Sequence, residues 1–494
     1  MSLKINFYER LGLDRNASRT EIQQAYREAA RRLHPDVNIE PGATEHFIHI
    51  KEAYEILSNP KQRQVYDHNS DANPLASLPV RIETLFSRES LQHTPEPQII
   101  YALITMGILP GSGKTLVAPP FNISLILDTS TSMKGARLEI VKASAIELLR
   151  QLRPQDTASV VAFDDRATAA LEASSHINVP GIENRIHALR ASGGTEIFQG
   201  LDAGYKELER FYKPQHLNHI ILITDGHTYG DEADCQKLAD TAAEQNITIS
   251  SLGIGGKWND ELLDDLATRT GGTCIYVQNP TDIRNMLNQK LIRLEKTYAE
   301  KISFQFELGA GVNLQYAFQL QPDAGVLAKK SPLRLGSLPT QSQQQILLEF
   351  TVDPLPQAVK QALLLSGEFA FTIPSEEKSF QLPFYLTCPI QETAVPAPPP
   401  AAIRNALSKL NLYRMQEQAQ HEISQGEYNQ AQQRLKNVAT HLFAQGETEL
   451  ARTVLKEVEH LQTNQSLTEE GVKRIKYGTR ALLLPDGKSQ DSNK

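Results

Sequence analysis

Oxygen-bearing side chains stand at three points of the chain where a metal ion could be bound: Asp128, Ser130, Ser132, Thr195 and Asp225. The aspartates follow apolar runs typical of buried strands, and Thr195 stands in a loop with two glycines. Ligands of open α/β sheets bind outside the carboxyl ends of the strands, so we expect these side chains to converge. Carboxylates and hydroxyls are hard ligands, which suit Mg²⁺ and not zinc. The sequence predicts a Mg²⁺ site, with Mn²⁺ or Ca²⁺ as alternatives.

The structural alternative is that Asp128, Ser130 and Ser132 only cap a helix and form a turn. For this motif alone, that alternative is favoured. The combination of Asp-x-Ser-x-Ser, Gly-Gly-Thr and Thr-Asp-Gly, in this order and spacing, favours the metal. The nearby pair Asp164-Asp165 is interpreted as an ordinary turn at the end of a strand.

A second motif, His34-Pro35-Asp36, follows a predicted amphipathic helix near the N-terminus. Ser18 and Glu21 form a capping box at the start of this helix, and proline after its last residues disfavours further helix. Its outward face carries three arginines: Arg27, Arg31 and Arg32. An exposed cationic helix is attracted toward an anionic partner.

The periodicity of apolar residues predicts the helices and strands that would position these motifs. Amphipathic helices alternating with apolar runs indicate a parallel sheet, and period-two patterns on both sides of that block indicate a β-sandwich into which it is inserted. The predicted division is a helical module (1–68), a linker (69–79), a β-sandwich (80–117 and 300–390), an α/β domain (118–299), a Pro-rich linker (391–402), a helical bundle (403–482) and a disordered tail (483–494).

Length, charge and cysteine content limit the classes of protein to which the chain can belong. The chain has 494 residues, for which roughly three domains are expected, and a formal net charge of −8. This acidity argues against nucleic-acid binding. Cys235, Cys274 and Cys388 are far apart, which excludes a disulfide scaffold and fits a reducing compartment. With no secretory signal or membrane span visible, a soluble cytoplasmic protein is expected.

The stretch around His34-Pro35-Asp36 resembles the J-domain family. The segments FYERLGL, AYREAARRLHPD and FIHIKEAYEILSNPKQRQVYD carry the resemblance, over about residues 5–67. J-domains bind DnaK-type heat-shock chaperones and stimulate their ATPase. The resemblance implies that His34, Pro35 and Asp36 contact the chaperone, and that Arg27, Arg31 and Arg32 form the docking face.

The α/β block resembles a von Willebrand factor type A (VWA) domain with its metal-ion-dependent adhesion site. The resemblance implies that Ser130 and Ser132 ligate the ion directly, that Asp128 and Asp225 do so directly or through water, and that Thr195 does so in one conformation. It also implies that an unidentified partner protein supplies a carboxylate ligand. The expected fold class is thus multidomain α+β: an N-terminal all-α J-domain, a doubly wound α/β VWA domain inserted in a β-sandwich, and a C-terminal helical bundle.

Three hypotheses of function remain open. The first is a J-domain co-chaperone that brings a DnaK-type chaperone to whatever the VWA domain holds. The second is a metal-dependent scaffold or assembly protein in which the J-domain is only a docking module. The third, a hydrolase that uses the metal, ranks last because neither a catalytic base nor a phosphate-binding loop is visible. We therefore expect no enzymatic activity in the chain itself, and no membrane or nucleic-acid partner.

Overall fold

The computed structural model describes residues 11, 13, 17–33, 50, 54, 57–58, 80–108, 118–175, 179–228, 230–340, 342–355, 361–374, 378–392 and 397–484. Among these residues, no helix combines the length and apolar character needed to cross a lipid bilayer.

The N-terminal module contains helix α1 (Arg19–Leu33). The predicted capping box at its start is confirmed: the Glu21 carboxylate accepts a hydrogen bond from the Ser18 N–H (2.6 Å), and the Ser18 hydroxyl accepts one from the Glu21 N–H (3.3 Å). Tyr26 of α1 stacks on Tyr54, with ring centroids 4.1 Å apart. The buried apolar residues of this module form one cluster: Leu11, Ala17, Ile22, Ala29, Ile50 and Leu57.

The beta strands of the described chain lie between Val80 and Gln391. The strands before the α/β domain are β1 (Val80–Phe86), β2 (Leu91–Gln92) and β3 (Gln98–Ile108). Those within it are β4 (Phe121–Asp128), β5 (Thr157–Phe163), β6 (Ala167–Ser174), β7 (Leu217–Thr224), β8 (Thr248–Ile254) and β9 (Cys274–Val277). Those after it are β10 (Thr297–Leu308), β11 (Val312–Gln321), β12 (Gly325–Val326), β13 (Leu333–Pro339), β14 (Gln344–Val352), β15 (Gln361–Ile373) and β16 (Lys378–Gln391).

Helices surround the central sheet and form the C-terminal part. The helices of the α/β domain are α2 (Ala136–Gln151), α3 (Val179–Ala188), α4 (Ile197–Glu209), α5 (Glu232–Glu244), α6 (Asp260–Thr270) and α7 (Asp282–Glu295). The C-terminal helices are α8 (Ala401–Ser424), α9 (Tyr428–Ala444), α10 (Thr448–Asn464) and α11 (Glu469–Ala481).

The α/β sheet has the strand order β6-β5-β4-β7-β8-β9, in which only β6 pairs antiparallel to its neighbour. Both faces are covered, one by α2, α3 and α7 and the other by α4, α5 and α6. Strands buried on both faces read as continuous apolar runs, which explains the sequence of β4. The central position of β4, between β5 and β7, brings Asp128 to the middle of the carboxyl edge of the sheet.

Two further sheets share one apolar core and form the β-sandwich. Their strand orders are β1-β3-β14-β11-β12 and β13-β10-β15-β16-β2. The chain leaves the sandwich after β3 and returns to it in β10, so the α/β domain is inserted in the sandwich. The returning strand begins at Thr297, slightly before the expected boundary at residue 300.

The C-terminal helices pack on both of the preceding domains. Helix α8 covers the outer face of the first sheet, where Leu410 and Tyr413 meet Phe318 and Leu347. The turns between α8 and α9 and between α9 and α10 fall at Gly426 and Gly446, whose positive φ angles of 80° and 87° favour a residue without a side chain. The expected fold class, with its terminal helical bundle, is confirmed.

The tail that was expected to be disordered begins at residue 483, but Leu483 is buried in the same cluster as α8. This first residue is therefore packed, and residues 485–494 lie outside the described part of the chain.

Helix α11 lies against the α/β domain through a buried ionic contact. Arg480 donates a bidentate pair of hydrogen bonds to Asp264 of α6 (2.7 and 2.9 Å), and Lys476 donates one to Asp260 (2.5 Å). Beneath them, Tyr477 packs on the fully buried Trp258, with ring centroids 5.6 Å apart. Burial acts to raise the pKa of Asp264, but the charges of Arg480 and Lys476 lower it to about 2.

Asp264→Asn is expected to loosen α11, because it leaves the buried guanidinium of Arg480 without its counter-charge. Removal of one partner of a buried pair costs on the order of 3–5 kcal/mol, so amide hydrogen exchange within α11 should become much faster. The matched control is Asp240→Asn, which breaks the more exposed pair with Arg269 and should cost less than about 1 kcal/mol. Unchanged protection of α11 in Asp264→Asn would contradict this interpretation.

Candidate metal centre

Asp128 ends the central strand β4 and is fully buried. Its Oδ1 accepts a hydrogen bond from the Ser130 N–H (2.7 Å), and its Oδ2 accepts one from the Thr224 hydroxyl at the end of β7 (2.5 Å). Burial raises the pKa of the Asp128 carboxyl to about 6, against the lowering effect of these hydrogen bonds. The donors are both neutral, so they orient the carboxylate without compensating its charge.

A chain of hydroxyl groups links the first motif to Asp225. The Ser130 and Ser132 hydroxyl oxygens are 2.9 Å apart, and the Ser132 hydroxyl donates a hydrogen bond to Asp225 Oδ1 (2.6 Å). Asp225 and Ser130 are buried, whereas Ser132 is exposed. The structure thus brings together the two aspartates and two serines predicted from the sequence, with one edge of the group open to solvent.

Thr195 approaches the same edge from the Gly-Gly-Thr loop. A Cβ atom added to Gly226, the residue after Asp225, would lie only 2.7 Å from the Thr195 hydroxyl oxygen. Glycine is therefore required at position 226 by this close approach. All five predicted ligand positions lie at one end of the sheet.

The acidic pair Asp164-Asp165 holds the Gly-Gly-Thr loop in place, a role that the turn interpretation missed. The Asp164 carboxylate accepts a hydrogen bond from the Ser192 hydroxyl (2.6 Å), and the Asp165 carboxylate accepts one from the Gly194 N–H (2.8 Å). The pair follows β5, which neighbours β4. The strand-end rule applied to Asp128 could therefore have placed these residues at the same edge.

Thr228 and Asp231 connect the loop after Asp225 to the start of α4, and the sequence analysis did not single them out. The Thr228 hydroxyl accepts from the Ile197 N–H (3.1 Å) and donates to Asp231 (2.5 Å), whose carboxylate also accepts from the Phe198 N–H (2.8 Å). These contacts satisfy backbone donors of the first turn of α4, directly after Thr195. The sequence signal that could have identified Asp231 is an acidic residue near the N-terminus of a helix, shortly after the Thr-Asp-Gly turn.

The donor set fits a hard divalent cation. Asp128 is a buried carboxylate that has only neutral hydrogen-bond donors, and a bound cation would compensate its charge. Among the described residues, no group of three or more His, Cys, Asp or Glu side chains is placed to hold a metal ion.

The predicted chaperone-binding residues are described only in part. Arg27 is exposed on α1, as expected for a docking face. Arg31 and Arg32 lie in the same helix, but their side chains lie outside the described part of the structure, as does the whole of His34-Pro35-Asp36.

Comparison with known families identifies the class of each part. The DnaJ domain family matches residues 6–67, and the von Willebrand factor type A domain family matches residues 122–289. The family described as "Sll0103-like, C-terminal alpha-helical domain" matches residues 401–485. The chain therefore contains a DnaJ domain and a VWA domain, and the two resemblances predicted from the sequence are confirmed.

Individual relatives match either most of the chain or only a short part of it. The uncharacterized protein sll0103 of Synechocystis sp. is 28% identical over 377 residues, which cover 74% of this chain and 89% of that protein. The chaperone protein DnaJ of Roseiflexus sp. is 49% identical over 77 residues, only 16% of this chain and 21% of that protein. The similarity to the chaperone thus covers less than a fifth of this chain.

Among solved structures, a von Willebrand factor type A protein from Catenulispora acidiphila has the same fold with a TM-score of 0.65 and 14% sequence identity. The match covers 81% of this chain and 96% of that one. This extent is much greater than that of the VWA domain alone.

Gly226→Ala is expected to displace Thr195, because the added methyl group would clash with the threonine hydroxyl and its neighbouring carbons. Overpacking of this kind costs on the order of 1–3 kcal/mol, so the melting temperature should fall. The control is Gly325→Ala, where the added methyl group would have no neighbour within 4 Å. Equal melting temperatures for the two variants, measured by differential scanning calorimetry, would show that the loop accommodates the methyl group.

Proposed function

We propose that this protein is a J-domain co-chaperone that stimulates the ATPase of a DnaK-type heat-shock chaperone and directs it through a metal-dependent VWA contact. The single observation that carries the proposal is the presence in one chain of a DnaJ domain and of a VWA domain with a convergent oxygen ligand set. The first provides a reason to bind the chaperone. The second provides a reason to bind something else at the same time.

The N-terminal module supports the chaperone half of the proposal. The segment that matches the DnaJ domain includes His34, Pro35 and Asp36, which we assign to contact with the chaperone. The exposed Arg27 lies on α1, together with Arg31 and Arg32, and cations on that helix would attract an anionic surface of the chaperone.

The centre at the carboxyl edge of the VWA sheet supports the second half. Asp128, Ser130, Ser132, Thr195 and Asp225 would hold Mg²⁺, with Mn²⁺ or Ca²⁺ as substitutes. When bound, the cation supplies an open coordination position that a carboxylate of a partner protein can fill. Ser132 lies on the exposed side of the group, where such a partner would approach.

In this proposal the chain is not itself an enzyme and works in the cytoplasm, where DnaK-type chaperones and Mg²⁺ are both present. The alternative is a scaffold or assembly protein in which the J-domain only docks. The two differ in whether the bound chaperone hydrolyses ATP faster.

The chaperone half predicts that the full chain accelerates ATP hydrolysis by a DnaK-type chaperone in a single-turnover assay. His34→Gln should return the rate to that of the chaperone alone, without a change in circular dichroism. The control is His421→Gln, a substitution of an exposed histidine in α8, which should stimulate like the wild type. Binding of the chaperone without any acceleration would favour the scaffold alternative.

The metal half predicts that the full chain retains a protein partner in Mg²⁺ and releases it in EDTA. Asp128→Ala should abolish this retention while leaving ATPase stimulation intact. Because Asp128 is buried, Ser132→Ala provides a second test at an exposed position, and Thr168→Ala on the exposed side of β6 is the control. Partner retention that is indifferent to EDTA and to both site variants would contradict the metal dependence.

A further inference from the structure

Arg137 contacts the metal centre from the first turn of α2. Its Nη1 donates a hydrogen bond to Asp225 Oδ2 at 2.6 Å, and the pair joins a side chain that is 45% exposed to one that is fully buried. Arg137 was not among the residues predicted from the sequence. This contact concerns the proposed metal centre directly, because Asp225 is one of the assigned metal ligands.

With this contact, both oxygens of Asp225 have a donor within the chain. Oδ1 accepts from the Ser132 hydroxyl at 2.6 Å, and Oδ2 accepts from Arg137. The two aspartates of the centre therefore differ: Asp128 has neutral donors, whereas Asp225 has a full positive charge beside it. A metal ion that approaches Asp225 meets a cation already in place.

We propose that Arg137 is an internal counter-cation of the metal centre, which neutralises Asp225 in the absence of metal and must leave when a divalent ion binds. The inference rests on the metal dependence proposed above. Arg137 and a bound divalent ion would compete for the buried carboxylate of Asp225, because two cations repel each other strongly where solvent screens their charges only weakly. A guanidinium group does not lose its proton in proteins, so it has to move.

The surroundings of Arg137 permit such a movement. Almost half of the side chain is exposed, so solvent is directly available to the guanidinium group if it leaves Asp225. On its other side lies Gly255, where an added Cβ would be 3.7 Å from Arg137 Nη2 and would narrow the space available. The Nη1 atom of Arg137 also donates to the Ser132 carbonyl oxygen at 3.5 Å, so hydrogen bonds and charge hold the guanidinium group beside Asp225.

The experiment is a calorimetric titration of the full chain with Mn²⁺. Arg137→Gln should bind Mn²⁺ about tenfold more tightly than the wild type, a ratio that corresponds to ~1.4 kcal/mol. Arg137→Lys, which keeps the charge, should remain close to the wild type. The matched control is Lys134→Gln, which removes an exposed charge from the loop just before α2 and should change the affinity by no more than about twofold because solvent and salt screen it.

A second measurement does not depend on metal. In EDTA, Arg137→Gln should melt at a lower temperature than the wild type, because Asp225 is left buried without a counter-charge. Saturating Mn²⁺ should raise the melting temperature of this variant more than that of the wild type. Lys134→Gln should show neither effect.

The outcomes separate this inference from the proposed function. If the wild type binds Mn²⁺ but Arg137→Gln binds it equally or more weakly, the counter-cation role is wrong and the metal centre stands. An equal gain in affinity for Lys134→Gln would also overturn it, since the effect would then be one of overall charge. If neither the wild type nor Arg137→Gln binds Mn²⁺, the counter-cation role and the metal half of the proposed function both fail, whereas the chaperone half is unaffected. A lower melting temperature of Arg137→Gln in EDTA would then mark an ion pair that only stabilises the fold.

Discussion

The buried carboxylate of Asp128 is the point on which the architecture of the VWA domain depends. It ends the strand at the centre of the sheet, and its hydrogen bonds to Ser130 and Thr224 join the two central strands where they end. A buried charge is unfavourable unless it is compensated. The loops around it therefore have to supply polar groups at fixed positions, and the irregular part of the domain is ordered because of it.

That order is achieved by contacts between loops. The loop after β5 holds the Gly-Gly-Thr loop through Asp164 and Asp165, and the loop after Asp225 holds the start of α4 through Thr228 and Asp231. The loops after β5 and β7 are thus each hydrogen-bonded to a neighbouring segment as well as joined to their own strand. Such mutual support is what keeps a group of ligands at fixed separations.

The sequence was informative where a function follows from residue type and local spacing. Asp128, Ser130 and Ser132 could be placed because an apolar strand precedes them, and Asp225 could be placed for the same reason. Asp164 and Asp165 were assigned to a turn, because their partners Ser192 and Gly194 are remote in sequence and only the strand order brings them near. Contacts of this kind depend on the fold and not on the local pattern.

The same limit applies to α11 and to Arg137. The sequence of α11 reads as a helix with a charged surface, yet Lys476 and Arg480 are buried. Their aspartate partners lie 216 positions earlier in the chain, so the local sequence of α11 could not indicate this burial. Arg137 lies in the first turn of α2, but the direction of its side chain depends on where β7 ends. For α11 and for Arg137 alike, a partner remote in sequence determines where the charged side chain lies.

The contact of α11 with the VWA domain also has a consequence for biogenesis. The aromatic surface of Trp258 and Tyr276 is covered by Tyr477, which is translated roughly 200 residues later, or about 10–40 s at a synthesis rate of about 5–20 residues per second. During that interval the nascent VWA domain has its strands and its loops but exposes an apolar patch to solvent or to the ribosome surface. Completion of this face therefore has to await the emergence of α11 from the exit tunnel.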